Sequence, residues 1–373
     1  MIKIYTLLLL VVLSFVLLTA WSFQAFNIKN NMNQKMFNIK IPSKPEIRNP
    51  RLIIKGSIPY WDQEKALASF KNNIGFFSYV NLFWYYMDSS GNVNKYEYAN
   101  EDKNIVKLAH DNNVKADMVI TNLSEFSGAE WDDGQRVEKM IEGISSRKYH
   151  ISQIIEKLNT LNFDGVVIDY EQLKPSAKDD FTNFIWDLSL ALHKNNKFLS
   201  VVLHPKTSED NPDENGKFQD WKQLSLYADQ LQIMGYGEHW DNSGPGPIAS
   251  ISWLKRILDY ARSIDIPKEK IILGIPLYGY DWDTISGGNA KDLTYQDVEK
   301  LMIDHAILRP GWDEKSQSYN FSYIDKNNHK HEVWFENQRS TEAKINIAKS
   351  YGLLGITFWR LGEEDPNVWN IVK

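Results

Sequence analysis

From residue 51 onward, short apolar runs alternate with longer segments whose apolar positions recur every three or four residues. The runs are "LIIKGSIPYW", "FFSYVNLFWYYM", "VKADMVITNL", "FDGVVIDYE", "FLSVVLHP", "QLQIMGYGEHW", "IILGIPLYGYDW" and "GITFWRLG". Between them lie amphipathic stretches such as "NIVKLAHDNN" (104–113), "ISQIIEKLNTLN" (151–162) and "DDFTNFIWDLSLALHKNN" (179–196). The last places apolar residues at 181, 184, 185, 188, 191 and 192, a helical period. Eight strands alternating with helices predict an α/β chain closed into a parallel (β/α)₈ TIM barrel. An open doubly wound sheet is the competing arrangement, but no strand here leads into a glycine-rich phosphate turn.

One connection breaks the rhythm. Residues 283–337 hold a helical segment, "LTYQDVEKLMIDHA", and "SYNFSYIDKNNHKHEVWFE", which predicts two strands around a polar turn. This is a small α+β insertion after the seventh strand, on the side of a barrel where loops wall the active site. Ahead of the barrel, "IYTLLLLVVLSFVLLTAW" (4–21) is about one membrane thickness of helix. Residues 1–25 are therefore expected to be a signal anchor or a cleaved signal peptide, with a membrane as partner in the first case. Residues 26–50, rich in Asn, Lys and Pro, read as a linker to a barrel over 51–373. The expected location is the cell envelope or the exterior.

Charge and composition remove some functions. A net charge of −6 with no sustained basic block argues against nucleic-acid binding. The absence of cysteine excludes disulfides and zinc–thiolate sites. "HKHEVW" holds His329, His331 and Glu332, but in a polar hairpin these read as a solvated turn, so no metal and no cofactor is expected. Trp, Tyr and Phe are generous, at 13, 18 and 17 residues. A monomer is expected.

The chemistry concentrates in the fourth strand. In "FDGVVIDYE", side chains alternate, so Val167, Asp169 and Glu171 share one face, each about 6.5–7 Å from the next in Cα spacing. If that face points inward, Val167 is deepest and Glu171 emerges at the C-terminal rim, where barrels carry their catalytic groups. Two carboxylates so close repel, and burial disfavours ionisation, so one keeps its proton near neutral pH. Glu171 is the natural proton donor and Asp169 its charged partner, a pair suited to glycosidic cleavage. Acidic residues at strand ends also serve as plain loop solvators or helix caps, and the surrounding sequence decides between the two.

That surrounding sequence resembles glycoside hydrolase family 18, the family of chitinases and of some peptidoglycan-degrading glucosaminidases. "FDGVVIDYE" is similar to its D-G-x-x-x-D-x-E strand, which brings in Asp164 as well as Asp169 and Glu171. "QIMGYGEHW" resembles its sixth-strand M-x-Y element, "PGPIAS" with "IILGIPLYGYDW" its approach to the seventh strand, and "GITFWRLGEEDPNVW" its eighth. The insertion ending "HEVWFEN" is like one found in spore-cortex and cell-wall glucosaminidases. The resemblance implies that Glu171 protonates the glycosidic oxygen while the substrate's own acetamido carbonyl attacks the anomeric carbon. It implies that Asp169 holds the acetamido N–H, that Tyr236 bonds its oxygen, and that Trp359 floors the reacting sugar. The implied partner is a polysaccharide containing N-acetylglucosamine, from peptidoglycan, chitin or a related exopolysaccharide.

Three positions depart from the pattern. Val167 stands where many members have Asp or Asn, so Asp169 lacks a deeper polar partner. The third strand "ADMVITNLS" lacks the S-x-G-G element of typical chitinases. Gly237 follows Tyr236 where an Asp is common, with Glu238 next. Rim positions expected to contact substrate are Tyr60, Trp84, Glu238, Trp240 and Tyr278, with Trp61, His204, Trp282 and Arg360 as further candidates. The alternative to an enzyme is a glycan-binding protein on the same barrel, with catalysis lost. Glu171 speaks for the enzyme and Val167 keeps the alternative open.

Overall fold

A computed structural model describes residues 52–123, 133–210 and 214–372 of the chain. The stretch expected to meet a membrane and the linker after it lie outside the described residues. Among the described residues, no helix is long and apolar enough to cross a membrane.

Eight parallel strands close a barrel: β1 (Ile53–Pro59), β2 (Tyr79–Met87), β3 (Lys115–Thr121), β4 (Gly165–Asp169), β5 (Phe198–Leu203), β6 (Gln230–Ile233), β7 (Ile271–Pro276) and β8 (Gly355–Trp359). Closure is explicit in the pairing, since β1 bonds to β2 on one side and to β8 on the other. Each neighbour in the ring is also the next barrel strand in sequence, the outcome of right-handed β-helix-β crossovers. The expected strands are all present, with one difference. "IILGIPLYGYDW" is two strands, because the chain leaves the barrel after Pro276 and Gly279–Asp283 joins a second sheet.

That second sheet is antiparallel and five-stranded, ordered Lys291–Leu293, Gly279–Asp283, Lys330–Phe335, Ser318–Ile324, Gly311–Asp313. It packs its own small core of Leu293, Val298, Phe321, Val333 and Phe335 under the helix Tyr295–Asp304. A Thr294–Asp297 capping box opens that helix, satisfying backbone donors that would otherwise be unpaired. The sheet and helix form the insertion between β7 and β8.

Helix ends follow local chemistry elsewhere too. The Asp102 carboxylate caps Lys103–Asp111 and Ser250 caps Ile251–Ser263. The helix expected over 151–162 runs Ile144–Leu161, starting a further two turns back, where His150 is buried with the core face.

The barrel axis is polar in its lower half. Lys55 Nζ lies 2.7 Å from Asp117 with both side chains fully buried, and donates to Gln230 Oε1 at 2.8 Å. Ser200 bonds Gln230 at 3.1 Å, Gln232 donates to Ser200 at 3.0 Å, and Asn81 donates to Gln232 at 3.3 Å. Burial lowers the Lys55 ammonium's pKa and raises that of the Asp117 carboxyl, and each offsets part of the other's desolvation. This ladder ends just below the cavity at the C-terminal rim.

Candidate active site

The rim cavity encloses about 400 Å³ and takes its walls from every barrel strand or its end except β7. Ser57, Asn81, Val167, Gln232 and Thr357 form its floor, and Tyr60, Trp61, Phe83, Tyr236 and Trp359 its aromatic sides. Asp169 and Glu171 are the carboxylates that line it.

The order along β4 produces this placement. Val167, in register with Val119 of β3 and Ser200 of β5, points inward and is almost wholly buried. Two residues on, Asp169 points the same way. Tyr170, between the carboxylates, points outward and stacks 6.0 Å from Phe184. Its hydroxyl lies 2.5 Å from His150 Nε2, while His150 Nδ1 meets the Gly91 carbonyl at 2.7 Å. Burial pushes the His150 imidazole down to about 4, so it is neutral at ordinary pH. Nδ1 then carries the proton toward Gly91, and Nε2 accepts from the tyrosine. The strand end is pinned from behind by that contact.

From the front it is pinned by Asn122. This buried side chain accepts the Glu171 N–H at 2.8 Å and donates to the Glu171 carbonyl at 2.9 Å. Arg136 in turn donates to the Asn122 carbonyl at 3.1 Å. The next residue, Gln172, has φ of +63°, and a Cβ on Gly134 would sit 2.0 Å from its carbonyl oxygen. Only glycine lets the helix Asp133–Glu142 close on this turn. Asn122 occupies the end of the third strand, where the typical S-x-G-G element is missing, and nothing in the spacing of "VITNL" singles it out.

Burial pushes the Asp169 carboxyl up to about 7. Its Oδ1 is sealed from solvent and accepts no hydrogen bond among the described residues. Glu171, at the rim, retains 23% side-chain exposure, and its Oε2 lies 3.6 Å from His204 Nε2. The burial that raises the Asp169 carboxyl opposes the charged role expected for it, and a hydrogen-bond donor supplied to Oδ1 would offset that burial.

Tyr236 reaches the cavity because β6 and β7 approach closely there. A Cβ on Gly235 would lie 2.2 Å from the Gly274 oxygen, and one on Gly274 would lie 2.9 Å from the Tyr236 ring. Burial, with the charges of Asp169 and Glu171, keeps the Tyr236 phenol's pKa well above its usual value, so it is a hydrogen-bond donor. Trp359 stacks 6.4 Å from Tyr236 and meets Trp61 at 6.1 Å and Phe83 at 5.6 Å edge-on. A second cavity of about 360 Å³ shares Trp61 and Trp359 and adds Tyr278, Tyr280, Asp292 and Arg360. The two make one cleft.

Several expected contacts sit elsewhere. Trp84 is fully buried against Tyr85 and Phe163, because alternation along β2 gives the cavity Phe83 instead. Asp164 lies at the opposite, N-terminal end of β4, accepting the Ala116 N–H at 2.8 Å and meeting His110 at the same distance. Glu238 accepts the Ser250 N–H at 2.6 Å, which folds its loop against a helix start. Trp240 is half exposed and lines neither cavity, and Trp282 is buried, donating to the Ser243 carbonyl at 2.9 Å. In the hairpin, His329 and His331 face Asp283 at 2.7 Å and Asp281 at 2.8 Å. Among the described residues no His, Asp and Glu group is arranged to hold a metal.

The chain is similar to known proteins along most of its length. The sequence profile of the family described as "Glycosyl hydrolases family 18" matches residues 57–364. The chain is 32% identical over 252 residues to the uncharacterized glycosylase YvbX of Bacillus subtilis (strain 168), covering 67% of this chain and 73% of that one. Among solved structures, the Bacillus megaterium QM B1551 spore cortex-lytic enzyme SleL is similar with a TM-score of 0.77. It is 25% identical, over 87% of this chain and 74% of SleL. A chitinase from Chromobacterium violaceum ATCC 12472 is similar with a TM-score of 0.76 at 26% identity, over 86% and 98% of the two chains.

Proposed function

The chain belongs to glycosyl hydrolases family 18 and is a glycosidase, and on that premise we propose that it cleaves β-linked N-acetylglucosamine glycans with the substrate's acetamido group as nucleophile. One observation carries the reading: both carboxylates of the cavity stand on the same strand end, on one wall. The usual retaining scheme needs a carboxylate on each side of the sugar. Among the described residues the lining of this cavity offers no third carboxylate, Asp292 standing in the adjoining one, which favours a nucleophile that arrives with the substrate.

The steps follow from the positions. Glu171, at the rim, gives its proton to the glycosidic oxygen. The acetamido carbonyl oxygen bonds to the anomeric carbon as the leaving sugar departs, forming a cyclic oxazolinium. The acetamido N–H supplies the hydrogen bond that Asp169 Oδ1 lacks in the empty site. That bond favours ionised Asp169 and shifts the shared proton toward Glu171. Tyr236 donates to the acetamido oxygen and fixes its direction of attack, while Trp359 carries the sugar's apolar face. Ionised Glu171 then deprotonates a water that opens the ring with retention.

Peptidoglycan is the first substrate to test, supported by the likeness to a spore cortex-lytic enzyme, and chitin-like glycans come next, supported by the likeness to a chitinase. An enzyme of the envelope or exterior fits such polymers, and the apolar run over 4–21 supports export, either by anchoring or by cleavage. The test is hydrolysis by the wild type and by Glu171→Gln, with products read by mass spectrometry. Release of fragments ending in N-acetylglucosamine by the wild type alone supports the reading. Binding without products from either protein favours a lectin-like role instead.

A further inference from the structure

We propose that His204 is a positioning residue that tunes the proton of Glu171, an inference that rests on the assignment of Glu171 as the acid. His204 follows β5 directly and its side chain is almost wholly buried. Its Nε2 lies 3.6 Å from Glu171 Oε2. The imidazole is held in place through its own backbone. Gln219 Oε1 accepts the His204 N–H at 2.8 Å, and Gln219 Nε2 donates back to the Val202 carbonyl at 2.9 Å. A side-chain Cβ on Gly216 would lie 3.3 Å from the His204 Cβ, so the loop packs on the histidine from the outside.

The described residues place several charged and titratable groups around this pair. Asp169 shares the cavity with Glu171, and the phenol of Tyr236 faces both carboxylates. On the histidine's own loop, Lys206 is turned to the Gln219 carbonyl at 2.8 Å and to Glu209 at 3.6 Å. Glu209 is itself engaged by Lys178 at 2.9 Å and by the Tyr260 hydroxyl at 2.6 Å. Across the cavity the imidazole meets the Glu171 carboxylate at 3.6 Å.

When Glu171 yields its proton, a carboxylate forms 3.6 Å from an N–H donor inside a low-dielectric wall. A donor at that point stabilises the charged form, makes Glu171 a stronger acid, and holds the released carboxylate toward the incoming water. The spacing is longer than a formed hydrogen bond, as catalytic contacts often are before substrate binds. Removing the donor raises the pKa of Glu171, so the alkaline limb of kcat/KM, which reports loss of the protonated acid, moves to higher pH.

The experiment has two arms on the full-length chain. In the first, histidine-selective ¹³C labelling and NMR follow the His204 imidazole, identified by the signal missing in His204→Phe. In Glu171→Gln, its titration midpoint falls by about one unit or more, because the partner charge is gone. In the second, kcat/KM is measured against pH for wild type, His204→Phe and His204→Gln. His204→Phe lowers kcat by roughly tenfold with KM within about twofold, and moves the alkaline limb up by about half a unit or more. His204→Gln, which keeps an N–H donor, recovers much of both. A His204 midpoint unchanged in Glu171→Gln, or an alkaline limb identical in His204→Phe, overturns the inference. If the wild type cleaves no N-acetylglucosamine glycan while the His204 midpoint still depends on Glu171, the pairing stands and the substrate reading fails.

Discussion

Replacing Asn122 with Ala tests whether catalysis depends on the clamp that holds Glu171. The side chain makes two hydrogen bonds to the Glu171 backbone, at 2.8 and 2.9 Å, from a fully buried position. At about 1 kcal/mol each, with a further cost for leaving the Glu171 N–H unpaired, the change destabilises by roughly 2–4 kcal/mol. For a folded body of this size that is a drop in Tm of roughly 3–6 °C. The rate falls further than stability alone requires. Glu171 lies two residues past the end of β4 and directly before Gln172, whose φ is positive, so its carboxyl is placed by its backbone. A displacement on the order of 1 Å costs about a hundredfold in rate. We expect kcat to drop by about 30- to 100-fold with KM little changed, measured on a chromogenic N-acetylglucosamine glycoside well below the lowered Tm. Asn122→Asp, which keeps the acceptor for the N–H but turns an oxygen against the carbonyl, falls between. A normal kcat in a protein with the lowered Tm would refute the argument that the clamp sets the acid's position.

Other outcomes follow from the same geometry. Tyr236→Phe removes the donor aimed at the acetamido oxygen and should lower kcat by about 10- to 100-fold while the fold, followed by circular dichroism, is unchanged. Asp169→Asn should lower kcat by about a hundredfold or more, and it should also alter the pH dependence of stability. The folded-state value of about 7 lies above the unfolded carboxylate value, so this group's contribution is full below the unfolded value and is lost as pH rises through 7. Urea midpoints taken between pH 4 and pH 7 should therefore fall more steeply in wild type than in Asp169→Asn, and equal slopes would remove the case for a protonated Asp169. Lys55→Met leaves Asp117 charged and unpaired inside the barrel and should cost roughly 3–5 kcal/mol. The folded fraction should keep most of its kcat, because neither Lys55 nor Asp117 lines the cavity.

The barrel was legible in the sequence because its strands are apolar β-branched runs and its helices carry a clear period, and both patterns are set by local burial. The D-x-E strand was legible for the same reason, since alternation alone puts Asp169 and Glu171 on one face. Trp84 shows the limit. Which face of β2 looks inward depends on register with β1 and β3, and an aromatic residue is at home on either side. Asp164 failed differently, because a motif gives the residues of a strand without saying which end faces the ligand. Asn122, His150 and the Lys55 ladder act through contacts between elements distant in sequence, and no single segment records such a contact. His204 was visible only as a polar residue at a strand end, and the neighbour that gives it meaning lies on another strand.

The account's central claim is that the substrate supplies the nucleophile through its acetamido group. The most direct measurement compares hydrolysis of two β-linked oligosaccharides that differ only in whether the reacting sugar is N-acetylated or carries a free amine, with Glu171→Gln as control and the product anomer followed by NMR. The account predicts cleavage of the acetylated chain alone, with β-anomer formed first, and no turnover by Glu171→Gln. Equal cleavage of both chains, or an α-anomer formed first, would contradict it.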